Sequence, residues 1–413
     1  MRAAPLLLLL ASCSAPRPEA APTPDVVVRG AESLSNGLMD LLARDYMRAH
    51  PDVLIDVAGQ GEHEGFRAML DGSADLVASE RLATPAEDEQ ARVNGYTLRG
   101  AGHRAIIAVD VVTLQLHPSQ GLDALTYDQV IGIFCTAELN DWSMLGLEPG
   151  PIHALVQPPG TGARALFEDF FCGPRGVYPR WQVVGVEQAA ELLRADPNAI
   201  AFTTLTQVSG RVLALRPEVG GAAAAPTQQS VIRGGYPLYQ DVYLYNSPDS
   251  SPEALAFAEW VRSPAGQEVV DEARYVPLFL RPASLDGPRP LRETVNFEQG
   301  GVRPNQRSAA RMAQLIDELH ERLGQTRNIV LEGFADSREE DGLALSLQRA
   351  EAVRDELAAA LPGINFELIP RGADRPIAPN TTPYGRQRNR RVQIYLSDEE
   401  AEGGLVVEPP PSE

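Results

Sequence analysis

The 413-residue sequence predicts an α/β protein made of two units, on three observations. Short apolar runs alternate with helical patterns from Asp25 to about Arg281, as in a mainly parallel sheet covered by helices. A Pro-rich linker occupies 282–293, and a second alternation of strands and helices fills 294–397. Because a chain of this length exceeds one small domain, we predict a large domain at 26–281 and a small α+β domain at 294–397.

Charge and composition exclude several functions. A net charge of −20 without a basic stripe argues against nucleic acid as a partner. The six His show no metal-ligand spacing and Cys is too sparse for zinc, so we expect no metal and no cofactor. The sequence also contains no GxSxG or HExxH motif. We therefore expect a binding or structural protein, not an enzyme.

The N-terminus predicts export. The apolar run 6–10 is too short to span a bilayer, so 1–12 is predicted to be a signal peptide. Leu10-Ala11-Ser12-Cys13 resembles a bacterial lipobox, which implies a lipid on Cys13; an ordinary secretory peptide with an incidental Cys is the alternative. Ser14 resembles the residue at this position in lipoproteins sent to the outer membrane, and 13–25 would be a spacer. We expect an outer-membrane lipoprotein that faces the periplasm.

Two further cysteines, Cys135 and Cys172, lie in the large domain. In an oxidising periplasm such a pair favours a disulfide, and two buried free thiols are the alternative.

The first elements of the large domain follow from local patterns. A strand at 26–28 precedes a helix that Ser33 or Ser35 can cap, and a second strand occupies 53–57. Gly59-Gln60-Gly61 opens the next helix, and Asp75 begins another strand. The apolar positions of the first helix recur at helical spacing: Leu38, Leu41, Leu42, Tyr46 and Ala49.

Seven segments of the large domain carry a recognisable pattern, at 59–66, 72–79, 125–130, 140–146, 160–164, 199–202 and 235–238. Taken in order, these segments resemble the PstS family of phosphate-binding proteins. The resemblance implies a two-lobed periplasmic binding protein type II fold whose cleft closes on a ligand. Helices that start after Gly-rich turns would direct backbone N–H groups and positive helix ends at an anion there.

The resemblance also implies which residues line the cleft. The candidate anion ligands are Ser33, Ser35, Gln60, Gly61, Asp75, Gly160, Thr161 and Gly162. Asp75 would accept a proton from a protonated phosphate; a structural capping carboxylate is the alternative. Several residues depart from the family: Gln60 replaces a Ser, Ala163 replaces a Thr, and 156–159 lacks an Arg, for which Arg81 or Arg164 could compensate. Phosphate or a related oxyanion, another small ligand, and an empty cleft remain open.

In the C-terminal unit, strands are predicted at 295–298, 328–333, 366–371 and 391–396, with helices from 305 and at 346–361. Its characteristic segments are 296–298, Gly333-Phe334-Ala335-Asp336-Ser337, Leu345-Ser346-Leu347-Gln348-Arg349-Ala350, 372–376 and 385–392. In this order, they resemble the OmpA C-terminal domain, which binds peptidoglycan.

This resemblance implies that Asp336 and Arg349 grip diaminopimelate in the peptidoglycan stem peptide. Asp336 would take the ammonium group, and Arg349 would take the carboxylate as a fork. Arg390 would bind a second carboxylate or position the loop, and a structural Asp336–Arg349 salt bridge is the alternative. The acidic tail 398–413 is expected to be disordered.

Taken together, the sequence predicts a wall-tethered lipoprotein that captures phosphate or a similar anion. The alternative is a structural anchor between the outer membrane and peptidoglycan, whose degenerate cleft serves protein contacts or has no ligand. The sequence indicates no particular transporter partner.

Overall fold

The computed structural model describes residues 23–99, 102–216, 223–232, 235–278, 292–322, 328–378, 380–381 and 383–396. The predicted signal peptide, the lipidation site Cys13, the linker up to residue 291 and the acidic tail lie outside the described residues. Within the described ranges, no helix combines the length and apolar character needed to cross a membrane.

The N-terminal domain alternates strands with helices, as the sequence predicts. Its strands are β1 Val26–Gly30, β2 Ile55–Gly59, β3 Leu76–Ser79, β4 Arg104–Leu116, β5 Ala124–Thr126, β6 His153–Val156, β7 Gln182–Val183, β8 Ala199–Thr204, β9 Arg211–Val212, β10 Ala214–Arg216 and β11 Tyr239–Asn246. Its helices are α1 Glu32–Ser35, α2 Leu38–Ala49, α3 Glu62–Leu70, α4 Pro85–Val93, α5 Tyr127–Phe134, α6 Gly162–Phe167, α7 Val186–Ala195, α8 Gln228–Ile232, α9 Pro252–Val261 and α10 Pro264–Glu272.

The strands form two lobes that share the long strand β4. Strand order is β2-β1-β3-β11-β4 in the first lobe and β4-β8-β6-β7 in the second. The first part of β4 pairs with β11, and its last residues, from Val112 to Leu116, pair with β8. β11 runs antiparallel to β3 and β4, so the sheet is mixed and not mainly parallel as predicted.

The first long helix, α2, confirms part of the predicted apolar face but not the predicted cap. Leu38, Leu42 and Tyr46 are buried in the core of the first lobe, which confirms the predicted apolar face. Leu41, which is 40% exposed, and Ala49, which is also exposed, do not belong to that face. The helix starts after Gly37 without a side-chain cap, so neither Ser33 nor Ser35 caps it as expected. Both serines lie in the short α1 instead, which brings them to the end of β1.

A disulfide joins Cys135 and Cys172 in the second lobe, as predicted. Their Cα atoms are 5.4 Å apart, and both residues are buried in the core of that lobe. Cys135 ends α5, and Cys172 ends a π-helical turn at Glu168–Cys172. The bond therefore ties together two helical segments that are distant in sequence.

Replacing both cysteines with Ser is expected to lower the free energy of unfolding by about 3–4 kcal/mol, because the bond closes a loop of 37 residues in the unfolded chain. Denaturant unfolding of the Cys135→Ser/Cys172→Ser chain checks this value. Reducing agent should destabilise the native chain and leave the double variant unaffected. Equal stability of the oxidised native chain and the double variant would contradict the prediction.

The C-terminal domain is a four-stranded sheet whose strands share one apolar core with the helices that pack against them. Its elements are β12 Arg292–Asn296, α11 Gln306–Arg322, β13 Asn328–Gly333, α12 Gly342–Ala360, β14 Asn365–Pro370, α13 Pro383–Asn389 and β15 Arg391–Leu396. Strand order is β12-β15-β13-β14, with β13 and β14 parallel. The predicted α+β class is confirmed, but α12 begins at Gly342, before the predicted Ser346, because Asp341 caps it by accepting from the Ala344 amide.

The C-terminal domain packs on β4, the strand that the two lobes share, and on its neighbour β11. The Gln306 side chain accepts a hydrogen bond from the Ile106 amide of β4 at 3.1 Å. The guanidinium carbons of Arg307 and Arg388 lie 4.4 and 3.2 Å from the centre of the Tyr239 ring of β11. The two domains are therefore in direct contact at the connection between the lobes.

Candidate functional site

The interlobe cleft brings together a hydroxyl, a carboxyl group and a helix start. Glu80 follows β3 directly, and its Oε1 accepts a hydrogen bond from the Ser33 hydroxyl at 2.6 Å. A Cβ atom at Gly162, at the start of α6 in the second lobe, would overlap the Glu80 carboxyl group. The same Cβ would lie 3.0 Å from Nε2 of Gln240. Glu80 thus fills the point where the two lobes meet, and only Gly fits opposite it.

Asp75 does not reach this point, which corrects the sequence assignment. It lies just before β3, at the strand end opposite Glu80. Its two carboxylate oxygens accept from the backbone amides of Val27 at 2.8 Å and Ser251 at 3.0 Å. Asp75 therefore has the structural capping role that was the alternative, and Glu80 is the carboxyl group that β3 presents to the cleft.

Only some of the other predicted cleft residues lie at the point where Glu80 meets the second lobe. Ser33 and Gly162 meet at Glu80, and the Ser35 hydroxyl is buried without a hydrogen-bond partner among the described residues. The Thr161 hydroxyl donates to the Pro158 carbonyl within its own turn at 3.1 Å. The three remaining candidates contribute backbone or an exposed side chain: Gln60 is exposed, and Gly61 and Gly160 have φ of 88° and 89°.

The cationic side chains that border the cleft are already engaged. Among the described residues, three Arg each pair with a carboxylate: Arg29 of β1, Arg81 after Glu80, and Arg164 of α6. Neither Arg81 nor Arg164 is therefore a free cation that compensates for the missing family Arg. The pairs are Arg29 with Asp56 at 2.7 Å, Arg81 with Glu62 at 2.8 Å, and Arg164 with Glu168 at 3.0 Å.

Two carboxyl groups dominate the electrostatics of the cleft: Glu80, which is half-buried, and Asp110, which is buried. Burial, with the nearby Asp110 as the second cause, raises the pKa of Glu80 to about 8. Burial likewise raises the pKa of Asp110, on β4, to about 6. Glu80 is therefore mostly protonated at neutral pH and can donate a hydrogen bond. Sequence reasoning missed both groups, although the position of Glu80 directly after a predicted strand was a usable signal.

This raised pKa predicts a pH-dependent stability. Between pH 4.5, the ordinary value, and about 8, folded Glu80 holds a proton that the unfolded chain releases. Stability should therefore fall as pH rises through this window. In Glu80→Gln the fall should be much smaller, and the variant should be more stable than the native chain at alkaline pH. Denaturant unfolding at several pH values measures both slopes, and parallel slopes would contradict the assignment.

In the C-terminal domain, Arg349 of α12 is fully buried and holds a carboxylate of the chain itself. Its Nη1 and Nη2 donate to the two oxygens of Glu339 at 2.7 and 2.6 Å. Its Nε donates to the Gly301 carbonyl at 2.9 Å, and Nη1 also donates to the Phe334 carbonyl at 3.1 Å. The guanidinium is thus fixed in position, and its edge that carries Nη1 and Nη2 is occupied by Glu339.

Asp336 pairs with Arg390 rather than with Arg349. Arg390 Nη1 donates to Asp336 Oδ2 at 2.7 Å, and the Asp336 side chain is only 1% exposed. The alternative of an Asp336–Arg349 salt bridge is not what the structure contains. Both residues nevertheless contact one group, because the Asp336 amide donates at 3.1 Å to Glu339 Oε2, which also accepts from Arg349 Nη1. Arg390 holds Asp336, which agrees with a role in positioning the loop.

A cavity of about 480 Å³ opens beside these charges, lined by Gln299, Gly300, Arg338, Glu339 and Gln348 among others. Burial alone would raise the pKa of Glu339, but the hydrogen bonds from Arg349 and from the Gly300 amide outweigh it, and the net pKa is lowered. Glu339 is therefore an anion at neutral pH. Sequence reasoning missed Glu339, since nothing in a charged loop marks one carboxylate as the partner of a distant Arg.

The fold consists of a two-lobed α/β domain with a cleft between its lobes, followed by a small α+β domain. Residues 15–265 match the family model of the PBP superfamily domain, and residues 296–390 match that of the OmpA family. The chain belongs to the PBP superfamily, with a PstS-like N-terminal domain, and it carries an OmpA domain at its C-terminus. Both are families of binding proteins.

Individual proteins resemble one domain or the other. The phosphate-binding protein PstS of Pseudomonas aeruginosa is 26% identical over 268 residues, which cover 60% of this chain and 81% of PstS. The peptidoglycan-binding protein ArfA of Mycobacterium tuberculosis is 38% identical over 72 residues, or 17% of this chain and 22% of ArfA. The fold is also shared with a solved phosphate ABC transporter substrate-binding protein from Clostridium perfringens, which contains bound phosphate. That match covers 61% of this chain and 98% of the solved chain, with a TM-score of 0.50 and 21% identity.

Proposed function

We propose that this protein binds peptidoglycan through its C-terminal domain and captures phosphate or a similar small oxyanion in its N-terminal cleft. In this proposal a lipid on Cys13 holds the chain to the outer membrane, and the protein faces the periplasm. The wall partner is the diaminopimelate of the stem peptide. The protein performs no catalytic step.

The wall-binding part is supported by the place where Asp336 and Arg349 converge. The buried residues Asp336 and Arg349 both contact Glu339, which is among the residues that line an open cavity. The free end of diaminopimelate carries an ammonium group and a carboxylate on one carbon. Fixed charges of both signs at short range are complementary to such a group.

The oxyanion part is supported by the meeting of both lobes at Glu80. Ser33 from the first lobe and the start of α6 from the second supply hydroxyl and backbone donors. Because the pKa of Glu80 is raised to about 8, its carboxyl group can donate to an anion at neutral pH instead of repelling it.

A structural anchor without a cleft ligand is the second candidate function, and one observation favours it. The Glu80 carboxyl group already fills the meeting point of the lobes, and the Arg side chains that border the cleft are paired. An anion would have to displace Glu80 without the help of a free guanidinium.

Phosphate titration of the full chain by calorimetry separates these two functions. Capture predicts saturable binding near neutral pH that weakens by at least about tenfold above pH 8, where Glu80 becomes an anion. Glu80→Gln should retain binding and lose this pH dependence. Any pH dependence that remains in the variant is then due to the titration of phosphate itself. No heat at millimolar phosphate in either chain would leave the anchor as the function.

A further inference from the structure

The face of Arg349 that a wall carboxylate would use is occupied by an equivalent group. Glu339 accepts both parallel N–H bonds of the guanidinium, at 2.6 and 2.7 Å. This two-pronged geometry is the one in which Arg binds any carboxylate. The Glu339 side chain is 2% exposed and that of Arg349 is 0% exposed, so the ion pair is shielded from water.

Two backbone donors complete the arrangement around the Glu339 carboxylate. The Gly300 amide donates to Oε1 at 2.8 Å, and the Asp336 amide donates to Oε2 at 3.1 Å. Together with the two bonds from Arg349, four donors converge on one carboxylate. A pocket with four fixed donors for one small anion is a carboxylate-binding site, and the chain fills it with its own side chain.

The surroundings allow Glu339 to leave this pocket. Glu339 belongs to the loop between β13 and α12, and its neighbours Ser337, Arg338 and Glu340 are exposed. Glu339 is among the residues that line the cavity of about 480 Å³, so open space lies next to this part of the loop. The apolar core of the domain is formed by other residues, such as Leu331 and Val353. Displacing Glu339 therefore does not require the core to open.

We propose that Glu339 is an intramolecular competitor for the peptidoglycan carboxylate and lowers the affinity of the domain for the wall. The inference rests on the proposed wall-binding function. A carboxylate of the stem peptide binds Arg349 only when Glu339 has left, so the apparent affinity falls in proportion to the fraction of chains in which the pocket is open. Glu339 thus sets how readily the protein attaches to peptidoglycan.

Retention of the full chain on purified diaminopimelate-type sacculi tests the proposal. Glu339→Ala and Glu339→Gln should bind at least about tenfold more tightly than the native chain. Glu367→Ala, which removes an exposed carboxylate from the edge strand β14, is the matched control and should bind like the native chain. Native or weaker retention of both Glu339 variants, with native near-UV circular dichroism, would overturn the proposal.

A second measurement does not depend on sacculi. In Glu339→Ala the vacated pocket should accept acetate, so acetate should raise the melting temperature of this variant more than chloride does at equal ionic strength. The native chain should show no such difference. Failure of acetate to act on the folded variant would overturn the competitor role. If no chain binds sacculi but acetate acts as expected, the wall-binding function fails and the carboxylate pocket stands.

Discussion

Replacing Arg349 with Met is expected to abolish retention on peptidoglycan and to lower the free energy of unfolding by about 3–5 kcal/mol. The loss of binding follows from the proposed function, in which the Arg349 guanidinium takes the wall carboxylate. The loss of stability follows because Glu339, whose side chain is 2% exposed, would keep a negative charge without its counter-ion. Sacculus pull-down and denaturant unfolding of the full chain measure the two effects.

A double variant separates the two effects. Arg349→Met with Glu339→Gln removes both charges, so most of the stability should return, because a neutral pair of similar volume can replace a buried ion pair. Binding should not return. Arg354→Met, on the same helix α12 with a side chain that is 36% exposed, is the control and should change neither quantity by more than about 0.5 kcal/mol. Retention of Arg349→Met on sacculi at the native level would refute the role of Arg349 in wall binding.

Replacing Arg388 with Ala is expected to cost about 2–4 kcal/mol and to separate the unfolding of the two domains. Arg388 is buried, lies 3.2 Å from the centre of the Tyr239 ring, and donates to the carbonyl groups of Pro237 at 3.2 Å and of Tyr239. Without the guanidinium, two buried carbonyl groups lose a donor and the ring loses its stacked cation. Scanning calorimetry of the full chain should then resolve two transitions further apart than in the native chain.

The reason for this large effect lies in where the domains touch. Tyr239 begins β11, which pairs with β4, and β4 is the strand that the two lobes of the N-terminal domain share. Contact at this point links the C-terminal domain to the part of the protein through which lobe movements would pass. Arg303→Ala, at an exposed position of the same domain, is the control and should unfold like the native chain. An unchanged calorimetric profile for Arg388→Ala would show that the contact contributes little.

The sequence was most informative where structure depends on neighbours in the chain. The buried positions Leu38, Leu42 and Tyr46, the alternation of strands and helices, and the last strand β15 at Arg391–Leu396 were all predicted from local patterns. The Cys135–Cys172 disulfide was predicted because only two cysteines were available in that domain. The resemblance to two families supplied both domain types, which the comparisons confirm.

The sites were predicted less well because their chemistry depends on long-range placement. The assignment of Asp75 to the cleft failed because Asp75 and Glu80 stand at opposite ends of one short strand, and only the fold shows which end faces the other lobe. The raised pKa of Glu80 arises from burial between lobes and from Asp110, neither of which is visible in local sequence.

By itself, the sequence determined the two α/β units, their families, the disulfide and the charged residues available for binding. Only the tertiary structure decided which charges meet: Asp336 with Arg390, 54 residues away, and Arg349 with Glu339. The physical reason is that helical and strand patterns are set over a few residues, whereas the energy of a buried charge depends on whichever group the completed fold places within hydrogen-bond distance.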